Sequence, residues 1–170
     1  ARAEYLEIPL YLCPRCRRTD SMQSKGSRLR CTACGYRLRY DPYGYLHGRD
    51  EPRFSTVREQ HRLQCEEIRR RCRAYVRAGG SEPLLREPEL LLLRGRKSKR
   101  PRPLAEGELI LTETSLSFLP VSGRRWDFAL TDLRGTTIQT DHSLEFYIGT
   151  RLYKLVSPGR LISFYKWMQH

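Results

Sequence analysis

The chain has 170 residues, a formal charge of +13 at pH 7 and a pI near 9.9. Its longest apolar run, Leu90–Leu93, is strand-sized, far short of the roughly 20 residues that cross a bilayer as a helix. Aromatic residues make up 10% of the chain, which separates it from disordered polyelectrolytes.

An excess of base this large points to polyanionic partners, either anionic membrane or nucleic acid. Scattered arginine also serves as plain solvated surface. The opening residues, ARAEYLE, are charged and mixed, unlike a secretory leader. Beginning at Ala rather than Met, the chain reads as a piece of a longer polypeptide.

Residues 1–50 form the first segment. Leu6, Ile8, Leu10 and Leu12 alternate with Tyr5, Glu7, Pro9 and Tyr11, a period that predicts a strand. The pattern C-x2-C-x14-C-x2-C follows, made by Cys13, Cys16, Cys31 and Cys34. Four soft ligands in two such pairs suit a tetrahedral structural Zn²⁺ and leave no open position for a catalytic water. An iron site of the rubredoxin kind and two redox dithiols are competing uses of the pattern. Gly35 sits where the knuckle turn needs a positive φ, and Arg17 takes that place in the first knuckle. Arg15, Arg17, Arg18, Arg30 and Arg37 are placed to offset the thiolate charge. The spacer, centred on Ser24-Lys25-Gly26-Ser27, suits a hairpin, and YDPYGYLHG reads as turns and a second one.

Residues 54–79 predict a connecting amphipathic helix. Ser55 or Thr56 can cap it, with Glu59 completing a capping box. Val57, His61, Cys65 (or Gln64), Ile68, Cys72 and Tyr75 (or Val76) give one apolar stripe, and Gly79-Gly80 ends it. Cys65 and Cys72 read as small buried residues of that stripe.

Residues 83–170 change character. Strands are predicted at Glu89–Arg94, Gly107–Thr112, Ser115–Pro120, Trp126–Leu130, Leu133–Thr140, Ser143–Ile148 and Arg151–Ser157, then a helix over Pro158–Gln169. Seven strands and one helix is the element order of a PH/GRAM-like β-barrel whose C-terminal helix caps one end. The expected fold is therefore α+β: a zinc ribbon, a helix and this β module.

No nucleophile–base set, phosphate-binding glycine loop or H-E-x-x-H is present. His47 and His142 fall in expected turns, His61 on the helix stripe and His170 at the end. Asp50-Glu51 and Glu66-Glu67 read as solvated faces, so no catalytic residue is assigned. The charged run Arg94, Arg96, Lys97, Lys99, Arg100 and Arg102 lies between the first two strands of the β module. Each basic side chain near an anionic bilayer contributes about 1 kcal/mol; a flexible solvated loop would carry the same residues.

The ordered combination PLYLCPRC…RCTACGYRLRYDPYGYL, REQHRLQ and GELILTETSLSF…FALTDLRGTTIQTDHSLEFYIGTRLYKL resembles the region after the catalytic domain of some bacterial lysophosphatidic acid acyltransferases. The resemblance spans nearly the whole chain. Gly35-Tyr36, Asp41 with Gly44, and the Leu144–Phe146/Tyr153 pattern are its more specific parts. The family's catalytic pair is a His followed five residues later by Asp; here Pro52, Glu66 and Tyr147 stand five after His47, His61 and His142. Only the four cysteines carry over, as zinc ligands.

The resemblance implies a non-catalytic accessory region of a membrane-associated enzyme of phospholipid synthesis. It would be cytoplasmic and peripheral at the inner face of the membrane, and its partner an anionic surface or an attached acyltransferase domain. A nucleic-acid-binding zinc-ribbon protein is the alternative, and a protein-interaction module using its sheet edges a third.

Overall fold

The alternation of Leu6, Ile8, Leu10 and Leu12 does not make a strand. In the computed structural model, which describes residues 2–48, 55–80, 82–96, 100–139 and 142–170, this segment is a run of turns. Leu6 N donates to Ala3 O, Ile8 N to Tyr5 O and Leu10 N to Leu6 O. Pro9 has no N–H for a ladder, and Tyr5 lies at φ +70. The apolar side chains are buried all the same, Ile8, Leu10, Leu12 and also Tyr11.

The chain divides into a first unit up to Arg70 and a second from Arg71 to Met168. In the first, β1 (Met22–Lys25), β2 (Arg28–Cys31), β3 (Arg37–Tyr40), β4 (Tyr45–Gly48) and β5 (Ser55–Thr56) form an antiparallel sheet in sequence order. Register pairs Lys25 with Arg28, leaving Gly26-Ser27 as a two-residue loop in which Gly26 takes φ +61. Leu29, Leu38 and Leu46 face inward with Leu10, Met22, Tyr36, Cys13 and Cys31 to make the core of this unit. The β3–β4 turn is tied by Asp41, whose Oδ1 accepts from the N–H groups of Tyr43 and Tyr45, both at 2.9 Å.

Helix α1 (Val57–Arg77) opens with the predicted capping box. Glu59 N donates to Thr56 Oγ1 at 3.2 Å and Thr56 N to Glu59 Oε2 at 2.7 Å, so Thr56 rather than Ser55 is the cap. The buried stripe is Gln60, Gln64 and Ile68: Ile68 and the alternative Gln64 of the expected series are buried, Gln60 takes the place of His61, and Val57, His61, Cys65, Cys72 and Tyr75 are only partly buried. Gln64 is buried because its amide is fully used: it accepts from Leu12 N at 3.0 Å and donates to Pro9 O at 2.9 Å.

In the second unit all seven expected strands are present: β6 (Leu85–Arg96), β7 (Arg102–Leu111), β8 (Ser115–Pro120), β9 (Trp126–Ala129), β10 (Leu133–Ile138), β11 (Leu144–Ile148) and β12 (Arg151–Val156). They form one curled antiparallel sheet ordered β10-β11-β12-β6-β7-β8-β9. The expected closed barrel is not found. A 3-10 turn at Leu130–Asp132 links β9 to β10, and among the described residues no ladder joins those two edges; the sheet is a half-barrel. Gly107, opposite Pro120, has no room for a side chain, since a Cβ there would stand 2.0 Å from Leu119 O.

The inner face is filled by Leu90, Leu92, Leu109, Phe118, Leu144 and Leu155, with an aromatic trio of Phe128, Phe146 and Tyr153. In that trio ring centroids lie 4.8–5.6 Å apart. The C-terminal helix, α2 (Tyr165–Gln169), is shorter than expected, because Pro158-Gly159, with Gly159 at φ +70, and the residues up to Ser163 run irregularly. Phe164 and Trp167 join the core. Lys166 follows them inward and donates to Glu87 at 2.5 Å; Arg160 holds the other oxygen of that carboxylate at 2.9 Å.

Candidate metal centre and basic surfaces

Two knuckles of matching backbone geometry bring the four cysteines together. In the first, Arg17 N donates to Cys13 O at 2.8 Å and Cys13 N to Arg18 O at 3.0 Å. In the second, Gly35 N donates to Cys31 O at 3.1 Å and Cys31 N to Tyr36 O at 2.8 Å. Arg17 and Gly35 take the positive φ that each turn needs, +58 and +73. These turns aim the N–H groups of Arg15 and Cys16 at the Cys13 sulfur, and those of Ala33 and Cys34 at the Cys31 sulfur.

The Sγ atoms of Cys13 and Cys34 are 3.6 Å apart and those of Cys16 and Cys31 3.7 Å apart, and all four lie within 4.8 Å of one another. No disulfide joins them. A tetrahedral ion with Zn–S bonds near 2.3 Å sets its sulfurs about 3.8 Å apart, so the ligand set fits Zn²⁺. Cys13 and Cys31 are buried, whereas Cys16 and Cys34 are exposed.

The two buried thiols differ. Burial pushes Cys13 up to about 12 against its backbone donors. Burial also opposes ionisation of Cys31, but the Ser21 hydroxyl, the N–H groups of Cys34 and Ala33 and the Cys34 thiol outweigh it and bring Cys31 down to about 6. A bound Zn²⁺ would supply no reaction here; its chemistry would be to hold both knuckles at one point.

Two of the arginines expected to offset the thiolate charge are turned elsewhere. Arg17 reaches Glu67 on α1 at 3.3 Å, and Arg70 takes the same carboxylate at 2.7 Å. Arg30 alternates with the inward-facing Leu29 and Cys31 along β2 and is solvent-exposed, so it faces away from the sulfurs. His47 lies in β4, not in a turn, and pairs with Asp41 Oδ2 at 2.6 Å. His142 does fall in the β10–β11 connection. Among the described residues the four knuckle cysteines are the one metal-ligating cluster; Cys65, 3.8 Å from His61 Nδ1, and Cys72 belong to none.

Of the predicted basic run, Lys97 and Lys99 lie outside the described residues, as do Asp50 and Glu51. Arg94, Arg96, Arg100 and Arg102 are exposed at the end of the β6–β7 hairpin. Register sets Arg94 opposite Arg102 and Arg96 opposite Arg151. The five arginines line one concavity with Gly95, Pro101 and Pro103. Arg151 is the member that sequence reading missed, because its place beside the run depends on the β12–β6 pairing.

No described helix is long and apolar enough to cross a membrane. Compared with models of known protein families and with curated proteins, the chain matches none.

Proposed function

We propose that the chain is a non-catalytic, zinc-clasped accessory region that attaches to an anionic membrane surface through the arginine end of the β6–β7 hairpin. The observation that carries this reading is the convergence of Arg94, Arg96, Arg100, Arg102 and Arg151 on one exposed concavity. Five cations at about 1 kcal/mol each would give reversible attraction to anionic headgroups.

The PH/GRAM-like assignment is supported by the strand order, in which the long β6 is shared by the two halves of a curled sheet followed by a C-terminal helix. The resemblance of the sequence to the region following a bacterial lysophosphatidic acid acyltransferase domain makes the enzyme of that class the expected parent. It also makes the inner membrane face the expected location.

The test is sedimentation of the full chain with vesicles of phosphatidylcholine alone and of phosphatidylcholine mixed with phosphatidylglycerol. Binding is expected to the mixed vesicles only, with each arginine neutralised in the hairpin weakening it about fivefold. Equal binding to both vesicles, or none lost in Arg100→Ser with Arg102→Ser, would sink the reading.

A further inference from the structure

The solvent face of the ribbon sheet carries a second set of cations, which neither the metal nor the hairpin accounts for. The β2–β3 register sets Arg28 directly opposite Arg39 and Arg30 directly opposite Arg37. On the other side β1 places Lys25 beside Arg28 and Gln23 beside Arg30. All six side chains are exposed, while the alternate residues Met22, Leu29, Cys31 and Leu38 point into the core. Strand spacing is about 4.8 Å and the same-face repeat about 6.7 Å, so the cations form a close grid. Among the described residues none of the five has an acidic partner.

Like charges directly opposite on paired strands are destabilising. The ribbon therefore maintains a repulsion, repeated in two successive pairs, that a bound polyanion relieves. The same face continues into an aromatic edge. Arg39 pairs with His47, and Tyr45, two residues before His47, shares its face and is 44% exposed. Tyr43 at the tip of the turn is 85% exposed. Asp41, the acid of this face, is buried and engaged by His47 and two backbone N–H groups.

We infer that this face binds single-stranded nucleic acid, with phosphates over Lys25, Arg28, Arg30, Arg37 and Arg39 and a base stacked on Tyr45. A cationic track beside an exposed ring is what such binding needs, since every nucleotide offers one charge and one π-face. A bilayer would meet the same charges, and the experiment separates it.

The experiment is fluorescence anisotropy of a labelled oligouridylate titrated with the full chain loaded with Co²⁺, whose visible absorption reports an intact four-sulfur site in every variant. Five contacts predict a log K against log salt slope of about −3.5. Arg39→Glu, which turns a repelling pair with Arg28 into an attracting one and so preserves the fold, should weaken binding about tenfold and flatten the slope. Tyr45→Ala should weaken it about fivefold or more, and Arg100→Ser with Arg102→Ser should leave it within about twofold. Absence of salt-dependent binding, or Arg39→Glu and Tyr45→Ala chains that bind as the parent does, would overturn the inference. So would an Arg39→Glu chain that loses anionic vesicles while the parent ignores oligouridylate. The membrane reading rests on the hairpin arginines and can fail independently.

Discussion

Arg17 and Gly35 occupy the same place in the two knuckles, four residues after the first cysteine of each pair, and both lie in the left-handed region. Glycine adopts it freely, while an L side chain pays roughly 1–2 kcal/mol. Arg17 recovers part of that through Glu67, although an exposed pair is worth less than about 1 kcal/mol. Gly35→Ala should therefore lower the stability of the metal-loaded ribbon by about 1–2 kcal/mol, whereas Arg17→Gly should be neutral or stabilising by about 1 kcal/mol or less. Urea titration followed by Co²⁺ absorption checks both. The four ligands and Gly35 were legible because ligand chemistry and backbone φ restrict residue type. Gln64 was legible only as an alternative on the helix stripe; its hydrogen bonds were not, since its partners are the backbone of Pro9 and Leu12, which no residue pattern announces. Arg28 and Arg39 were half legible: the Arg-Leu-Arg alternation is plain in RLRC and RLRY, but only the register stacks like charge on like.

At the scale of elements, the short apolar or alternating runs of the second unit placed every strand, although only some alternate in burial: β8 buries Leu116, Ser117 and Phe118 in succession and β10 buries no residue. Leu6–Leu12 alternates in sequence without a ladder, since Pro9 breaks the donor series and Tyr11 is buried along with Leu10 and Leu12. The sheet's failure to close was also invisible, because closure depends on whether β9 and β10 meet, not on either strand's composition. Beyond apolar packing, Glu87 orders the C-terminal segment: it takes Lys166 at 2.5 Å, Lys166 and Glu87 being 4% and 7% exposed, and Arg160 at 2.9 Å. Removing Lys166 leaves Glu87 in a dry site with only Arg160, a partner itself 42% exposed. Lys166→Met should therefore destabilise the chain, by less than the about 3–5 kcal/mol of a wholly stranded charge, and Lys166→Met with Glu87→Leu should recover part of the loss. Thermal unfolding read by Trp fluorescence measures this, since Trp167 directly follows Lys166.

For the whole molecule, two cores are distinct in composition and in what holds them. The first is small and contains two of its own metal ligands, Cys13 and Cys31. The second is larger, aliphatic and aromatic, and includes Trp167, with Trp126 packed against it. Structural zinc contributes on the order of 10 kcal/mol to a small fold, more than so modest a core can replace. Chelation is expected to unfold the ribbon, seen as loss of amide protection at Leu29 and Leu38, while Trp emission from the second unit stays unchanged. A concerted change in both signals would show that the second core also depends on the metal.

Each knuckle buries one cysteine and leaves the other more open, and this would separate how tightly an ion is held from how long it stays. The buried pair and the fold around it govern affinity. With an ion bound, an outside thiol would reach it past Cys16 or Cys34 and displace that sulfur before the metal departs, so exchange would proceed at a rate set by the competitor's concentration. Such a site would be saturated with metal and still trade it, one sulfur at a time, without unfolding first.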